Sequence, residues 1–250
     1  MFNLLAGAEA ALGATGIGFL PIVVWLTFWL FEDWKHPEPR RVLIIAFLTG
    51  MCAVPVVLSL EGVTTKLIPY GRTILIAWAA IEEAVKFGMA GIFVLRSRSV
   101  DEPIDYVVYM ITVALGFAAV ENSLFLFAPF IANNFLESAV TGDLRFIGPT
   151  LIHVLGSAII GGALAFSFFR TRLDKVWYVA VGLILAVGLH AFFNFLIITT
   201  GAGRILTVFL GVWVGIIFIL LALERIKLLR PPAWWEKILP RILKPFLPYP

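Results

Sequence analysis

The chain has 250 residues, 61% of them hydrophobic and 14% charged, with a mean hydropathy of +0.99 and a formal net charge of +3. Soluble domains carry about 25% charged residues, so a soluble core is excluded, as are disordered and collagen-like chains, and the bilayer becomes the relevant solvent. Cys52 is the single cysteine, which rules out an internal disulfide; the basic residues are not gathered into a soluble domain, so they fit an anionic leaflet and not nucleic acid.

From the N-terminus, apolar runs of membrane-spanning length fall at 12–31, 42–60, 73–95, 106–128, 147–169, 177–199 and 205–223. The expected fold is therefore an all-α polytopic membrane protein, a bundle of about seven transmembrane helices forming one domain over 1–224. The first run lacks a basic segment before it and is expected to remain as a span, not to be removed as a signal peptide. Proline and charge collect in the breaks, as in the stretches from Glu32 to Arg41 and from Arg96 to Pro103. Over 225–250, Trp234, Trp235, Lys237, Arg241 and Lys244 stand among prolines, the pattern of an interfacial tail and not of an eighth span.

Seven crossings put the two ends on opposite sides. The N-terminus and the segments 61–72, 129–146 and 200–204 hold four basic residues, Lys66, Arg72, Arg145 and Arg204, whereas the other loops and the tail hold fourteen. Positive-inside bias then places a multi-pass protein in the cell membrane with its N-terminus outside and its C-terminus cytoplasmic.

Within the seven spans the formally charged residues are Glu82, Glu83 and Lys86 in the third and Glu121 in the fourth; His153 and His190 add two titratable rings. A charge at mid-bilayer costs roughly 2.5–3.5 kcal/mol on insertion scales, so such residues face a polar interior and have partners. Counting about 1.5 Å per residue from the outer end of each span puts Glu82 and Glu83 roughly 14–15 Å deep, Glu121 and His153 roughly 9–11 Å, His190 roughly 13 Å and Asn194 roughly 7 Å. Residues from four helices thus fall in one layer of the outer half. Glu82 and Lys86 share a helix face at i and i+4, with Glu83 also in reach of the lysine; Phe117 with Glu121, and His190 with Asn194, are further i, i+4 pairs. Gly116, Gly156, Gly161, Gly162, Gly182 and Gly188 are expected to let the helices approach closely. Each group also has a plain reading: a buried ion pair for the Glu82 cluster, interhelical glue for Glu121 and Asn122, a hydrogen-bonded core ring for His153. Trp25, Trp29, Trp34 and Trp177 are read as interfacial anchors or lipid-facing bulk.

Known routes to hydrolysis inside a membrane can be set against this inventory. Asp33, Asp101, Asp105, Asp143 and Asp174 all fall in loops or at span edges, so an aspartyl dyad is out. No His-Glu-x-x-His is present, and Ser157 lacks a G-x-S-x-G setting. Glutamate chemistry remains, in which a carboxylate acts as general base on water and a His/Asn pair donates to the developing oxyanion. Three glutamates and two histidines are also a set that could bind a divalent ion, which keeps a metal or proton transporter open as an alternative.

Four ordered segments carry a family resemblance: Glu82-Glu83-Ala84-Val85-Lys86-Phe87, Gly116 through Glu121-Asn122, His153, and His190-Ala191-Phe192-Phe193-Asn194. Together they resemble the motifs of PrsW-type glutamic intramembrane proteases, a family related to the CAAX-processing and bacteriocin-processing membrane endopeptidases and to the presenilin-associated scaffold APH-1. The resemblance covers 73–199. The CAAX-processing relatives carry Glu-Glu-x-x-x-Arg and Phe-x-x-x-His where this chain has Lys86 and Glu121, departures that point to the PrsW branch. It implies Glu82 as the water-activating carboxylate, Glu83 beside it with Lys86 as counter-ion, and Glu121 where relatives use a water-orienting histidine. His190 and Asn194 match the oxyanion pair, and His153 matches a family histidine without an assigned role. The implied substrate is a single-span membrane protein cut near its extracytoplasmic side, as in site-1 cleavage of an anti-sigma factor, with the lipid bilayer as the other partner and no nucleic acid. No cofactor is expected, a divalent metal at the Glu/His site being the alternative. A noncatalytic scaffold is the rival reading from another class, and the intact Glu82-Glu83 pair argues against it.

Overall fold

The computed structural model describes residues 2–32, 37–132, 134–199 and 205–232. Among them are eight helices and no strand: α1 (Phe2–Glu32), α2 (Arg40–Leu67), α3 (Arg72–Phe93), α4 (Asp105–Ile131), α5 (Phe135–Ile147), α6 (Pro149–Phe166), α7 (Arg172–Thr199) and α8 (Ile205–Lys227). Each of the seven apolar runs has its helix, so the polytopic helical bundle read from the sequence is the fold. Six stretches are long and apolar enough to cross a membrane; α3 stands apart from them because its 22 residues include Arg72, Glu82, Glu83 and Lys86. It nonetheless packs inside the bundle against α2, α4, α6 and α7. Trp34, Arg204 and the tail residues Trp234, Trp235, Lys237, Arg241 and Lys244 lie outside the described residues.

Helix α4 is the centre, flanked by α1, α2, α3 and α6. It is apolar on all sides, as a helix surrounded by other helices must be, and 67% of its span is buried against 17% for the peripheral α8. Small residues set how near its neighbours come. A Cβ on Gly116 would strike the Phe47 carbonyl oxygen and one on Gly50 the Val113 carbonyl oxygen, so the α2 and α4 backbones touch and tolerate no side chain there. At Gly161 a Cβ would lie 2.8 Å from the Tyr106 carbonyl oxygen, and at Gly182 2.7 Å from Ala163 Cβ. Gly162 and Gly188 do not fit that expectation: each faces open space within 4 Å.

Two tryptophans read as lipid-facing are core residues instead. Trp25 and Trp29 are 6% and 3% exposed, and Trp25 donates from Nε1 to the Phe146 carbonyl oxygen at 3.4 Å while packing on the Phe146 and Trp213 rings. Trp25 meets the usual condition for burying an indole, an acceptor for its N–H, whereas Trp29 Nε1 is buried without one among the described residues. Trp177 does face outward, at 71% exposure.

The segment 129–146, expected as an external connection, contains α5. Its Leu136 and Val140 are exposed, whereas Leu144 and Phe146 pack on the core and Arg145 is buried. Only Gly148 separates α5 from α6. Pro149 at the first position of α6 has no N–H to continue the α5 ladder, which breaks the helix there. Because Val140–Phe166 is apolar enough to form one span, the break falls inside it and turns the end of α5 inward.

A second polar cluster closes the opposite end of the bundle. Asp105 Oδ2 accepts the backbone N–H groups of Asp101 and Glu102 at 2.8 and 2.7 Å, and the Tyr109 hydroxyl donates to Glu38. The Asp105 and Glu38 carboxyls are also hydrogen-bonded to each other. These contacts tie the chain entering α2 to the chain entering α4.

Candidate active site

Helical spacing brings Glu83 and Lys86 together on α3, and their salt bridge, 2.7 Å between Nζ and Oε1, is wholly buried. The i+3 partner wins over Glu82 at i+4. Glu83 Oε1 is also 2.8 Å from His190 Nδ1 on α7. Gly156 on α6 makes room for this carboxylate, since a Cβ there would lie 3.2 Å from both of its oxygens. One carboxyl is thus fixed by a cation from its own helix and a ring from another.

His153 on α6 is fixed from two sides. Its Nδ1 is 3.3 Å from Lys86 Nζ, and its Nε2 is 2.7 Å from Glu121 Oε2 on α4. An ammonium can only donate and a carboxylate can only accept. The neutral ring therefore carries its proton on Nε2 and turns the Nδ1 lone pair inward. Phe117 packs edge-on against this ring at 5.1 Å, and Lys86 sits 5.0 Å over the Phe117 face, so the i, i+4 pair of α4 does line the site. Glu121 in turn accepts from Arg145 Nη2 at 2.6 Å, and Arg145 Nε donates to Asn122 Oδ1 at 2.5 Å. Asn122 Nδ2 continues the chain to Thr150 Oγ1 at 3.1 Å.

Glu82 differs from every group around it. Its Oε2 faces His153 Nδ1 at 3.7 Å and His190 Nε2 at 3.8 Å, beyond direct hydrogen bonding, and it has no hydrogen-bond partner among the described residues. The two imidazoles meet edge to face, 5.1 Å apart at 84°. A carboxylate oxygen and a ring lone pair repel, so whatever joins them must carry hydrogen or positive charge: a water, a proton or a cation. One ligand atom each from Glu82, His153 and His190 lies within 4.8 Å of the others, close enough to hold a metal ion. Both histidines back their remaining ring nitrogen with a carboxylate, Glu83 or Glu121, as metal-bound histidines commonly do. The donor set therefore fits a divalent ion, while Lys86, 3.3 Å from His153 Nδ1, competes for that nitrogen.

The structure brings together Glu82, Glu83, Lys86, Glu121, His153 and His190. Asn194 does not join them: it is half-buried one turn along α7 and makes no hydrogen bond among the described residues. Sequence reasoning missed Arg145, which it counted as an external loop charge. The available signal was the apolar run reaching back to Val140, which puts Arg145 inside a stretch long and apolar enough to cross a membrane. It also ended the second span before Glu61, yet α2 continues to Leu67 and Glu61 interacts electrostatically with Glu121 and His190. Ser157, one turn beyond His153, is buried without a partner among the described residues. A crevice of about 330 Å³ opens between α3 and α7, where Ala191, next to His190, lines it with Ile76, Phe192 and Phe195 under Arg72.

Comparison with known proteins bears on this arrangement. Residues 38–223 match the family described as "PrsW family intramembrane metalloprotease". The protein named Protease PrsW from Geobacillus kaustophilus (strain HTA426) is 31% identical over 187 residues, 72% of this chain and 78% of its own. Its namesake from Bacillus subtilis (strain 168) is 24% identical over 72% of this chain and 80% of its own, and that from Clostridioides difficile (strain 630) 23% over 72% and 77%. No solved structure matches.

Proposed function

The chain belongs to the PrsW family of intramembrane proteases, and on that premise we propose that Glu82 activates the water that hydrolyses a peptide bond of a membrane-anchored substrate. The observation that carries this reading is the difference between two adjacent carboxylates. Glu83 Oε1 is engaged by Lys86 and His190, whereas Glu82 Oε2 meets only the inward-turned ring nitrogens at 3.7 and 3.8 Å, a separation that one bridging water spans. In this scheme Glu82 takes a proton as the water oxygen attacks the scissile carbonyl carbon, then returns it to the leaving amine. Lys86 offsets the negative charge that develops beside it, in a layer where electrostatic effects are strong. His190, held through Nδ1, and His153, held through Nε2, fix where the water sits.

The substrate class is a single-span membrane protein cut near its extracytoplasmic side, with a membrane-bound anti-sigma factor as the first example to try. Its support is the fourteen-to-four basic asymmetry, which orients the chain with the N-terminus outside and the site in the outer half. Arg145, one of the four, is folded into the bundle, so it says less about the loop than the others do.

A second reading has its own observation. Carboxylate-backed His153 and His190 facing Glu82 form a donor set for a divalent ion, and the family description includes the word metalloprotease. There Glu82, His153 and His190 would hold the ion, which when bound would lower the pKa of a water and polarise a carbonyl. Lys86 against His153 favours the metal-free form. One experiment addresses both: purified protein in liposomes is incubated with a panel of single-span membrane proteins that includes anti-sigma factors, comparing wild type with Glu82→Gln. Cleavage by wild type and none by Glu82→Gln is expected; equal cleavage overturns the role of Glu82. Stoichiometric metal in active protein, with activity lost on chelation and restored by re-addition, would select the second reading.

A further inference from the structure

We infer that Arg145, carried inward by the break between α5 and α6, is a positioning residue for the hydrolytic site: it holds Glu121 so that Glu121 fixes the orientation and tautomer of His153. This rests on the reading of His153 as a member of that site. Glu121 Oε2 is shared by Arg145 Nη2 at 2.6 Å and His153 Nε2 at 2.7 Å, so the two groups it joins are linked through one atom. The guanidinium itself has little freedom. Its Nε is bound to Asn122 at 2.5 Å, and its plane lies 4.1 Å over the Phe125 ring. α4 thus presents Glu121, Asn122 and Phe125 as a fitted seat for a cation, and Arg145, near the end of α5 just before the break, fills it.

The consequence reaches the reacting layer by geometry. Glu121 is the most exposed member of the cluster, at 22% of its side chain. Without Arg145 a carboxylate in this layer has no fixed counter-charge, and the outer mouth offers it solvent. Glu61 on α2 and Glu82 on α3 are carboxyls and supply no positive charge in place of the arginine; His190 on α7 is held by Glu83. Once Glu121 leaves, His153 loses the acceptor of its Nε2 proton, and the 3.3 Å contact of Lys86 Nζ with Nδ1 is all that then opposes the other tautomer. In that other tautomer Nδ1 carries the proton and offers no lone pair to Lys86 or to the space shared with Glu82 Oε2. A guanidinium suits this task because its planar fork bonds two acceptors at once, whereas an ammonium is a single point charge.

The test reads the histidine directly and needs no substrate. The chain has three histidines, His36, His153 and His190, so selective ¹⁵N-imidazole labelling gives a spectrum assignable with His36→Gln and His190→Gln. Wild type should show His153 with a protonated Nε2 and an unprotonated Nδ1. Arg145→Gln should lose that signature for a mixture of tautomers, and Arg145→Lys should retain it in part. If Arg145→Gln keeps the wild-type His153 pattern, the inference is overturned. Where Arg145→Gln fails to fold, Arg145→Lys decides: a wild-type pattern there overturns the inference, and a mixture supports it. For any single-span substrate that wild type cleaves, Arg145→Gln should lower kcat about tenfold or more with KM unchanged, and Arg145→Lys should recover part of it. Loss of the tautomer signature is independent of cleavage, so failure of the Glu82 assignment would be told apart from failure of this one.

Discussion

Two clusters of buried carboxyls lie at opposite ends of this bundle, and they differ in how far their hydrogen bonding is completed. At one end Asp105 takes two backbone N–H groups, Glu38 takes the Tyr109 hydroxyl, and the two carboxyls bond each other. At the other, Glu82 Oε2 and Glu83 Oε2 are buried without a hydrogen-bond partner among the described residues. Buried polar groups are normally satisfied, because leaving one unpaired costs about 1–3 kcal/mol. The completed cluster is what a clasp between two loops requires. In the proposed reading the incomplete one leaves Glu82 free to act, since a carboxylate saturated by donors is a poor base. Burial and acidity alone would not have separated them.

That contrast predicts opposite outcomes for conservative changes at the two ends. The largest effect should come from Glu82→Gln, which is expected to lower cleavage roughly 100- to 10,000-fold, the range for loss of a general base, while thermal unfolding in detergent stays within a degree or two of wild type. A large drop in melting temperature would mean that Glu82 is as structural as Asp105, and the contrast would fail. Lys86→Met should act on folding instead. It leaves Glu83 in a fully buried setting without its cation, and breaking such a pair costs about 3–5 kcal/mol; normal accumulation and stability in the membrane would argue against this assignment.

Smaller changes sharpen the comparison from the other side. Tyr109→Phe removes the hydroxyl that donates to Glu38 and should cost about 1–3 kcal/mol of stability, with cleavage unchanged at temperatures where the protein is folded. Reduced turnover by folded Tyr109→Phe would show that the distal cluster communicates with the site. The last test perturbs energy least and orients both clusters. Cysteines placed at Arg72 and Arg98 in a Cys52→Ser background should label from outside and inside the cell respectively. Reversed labelling would put the Glu82 layer near the cytoplasm and the Glu38 clasp outside.

Composition and spacing were enough for the class of fold and for the members of the candidate cluster. Apolar runs of about 20 residues dictate helical spans because lipid cannot satisfy an open backbone, and all seven runs are helices here. Glutamate, lysine and histidine within such runs stand out because the bilayer penalises them wherever they are not grouped; the six side chains singled out this way converge. Helical spacing also foretold that Lys86 could reach either acid. It could not say which, because at i+3 and i+4 both are in range, and the choice rests on His190 approaching Glu83 from 107 residues away.

Tertiary structure alone decided the rest. Asn194 shares a face with His190 on paper, but of the two only the histidine makes a hydrogen bond with the cluster among the described residues. Arg145 looked like a loop charge until the Gly148–Pro149 break turned α5 inward onto Glu121, 24 residues away. Glu83 stands 2.8 Å from His190, whereas Glu82 stands 3.7 and 3.8 Å from His153 and His190, so the difference between them rests on about one ångström to rings on two other helices. A periodic sequence pattern fixes which residues share a helix face; it carries no information on how one helix is rotated against its neighbour, which is set by packing over the whole bundle, by contacts such as Gly50 on Val113 and Gly116 on Phe47.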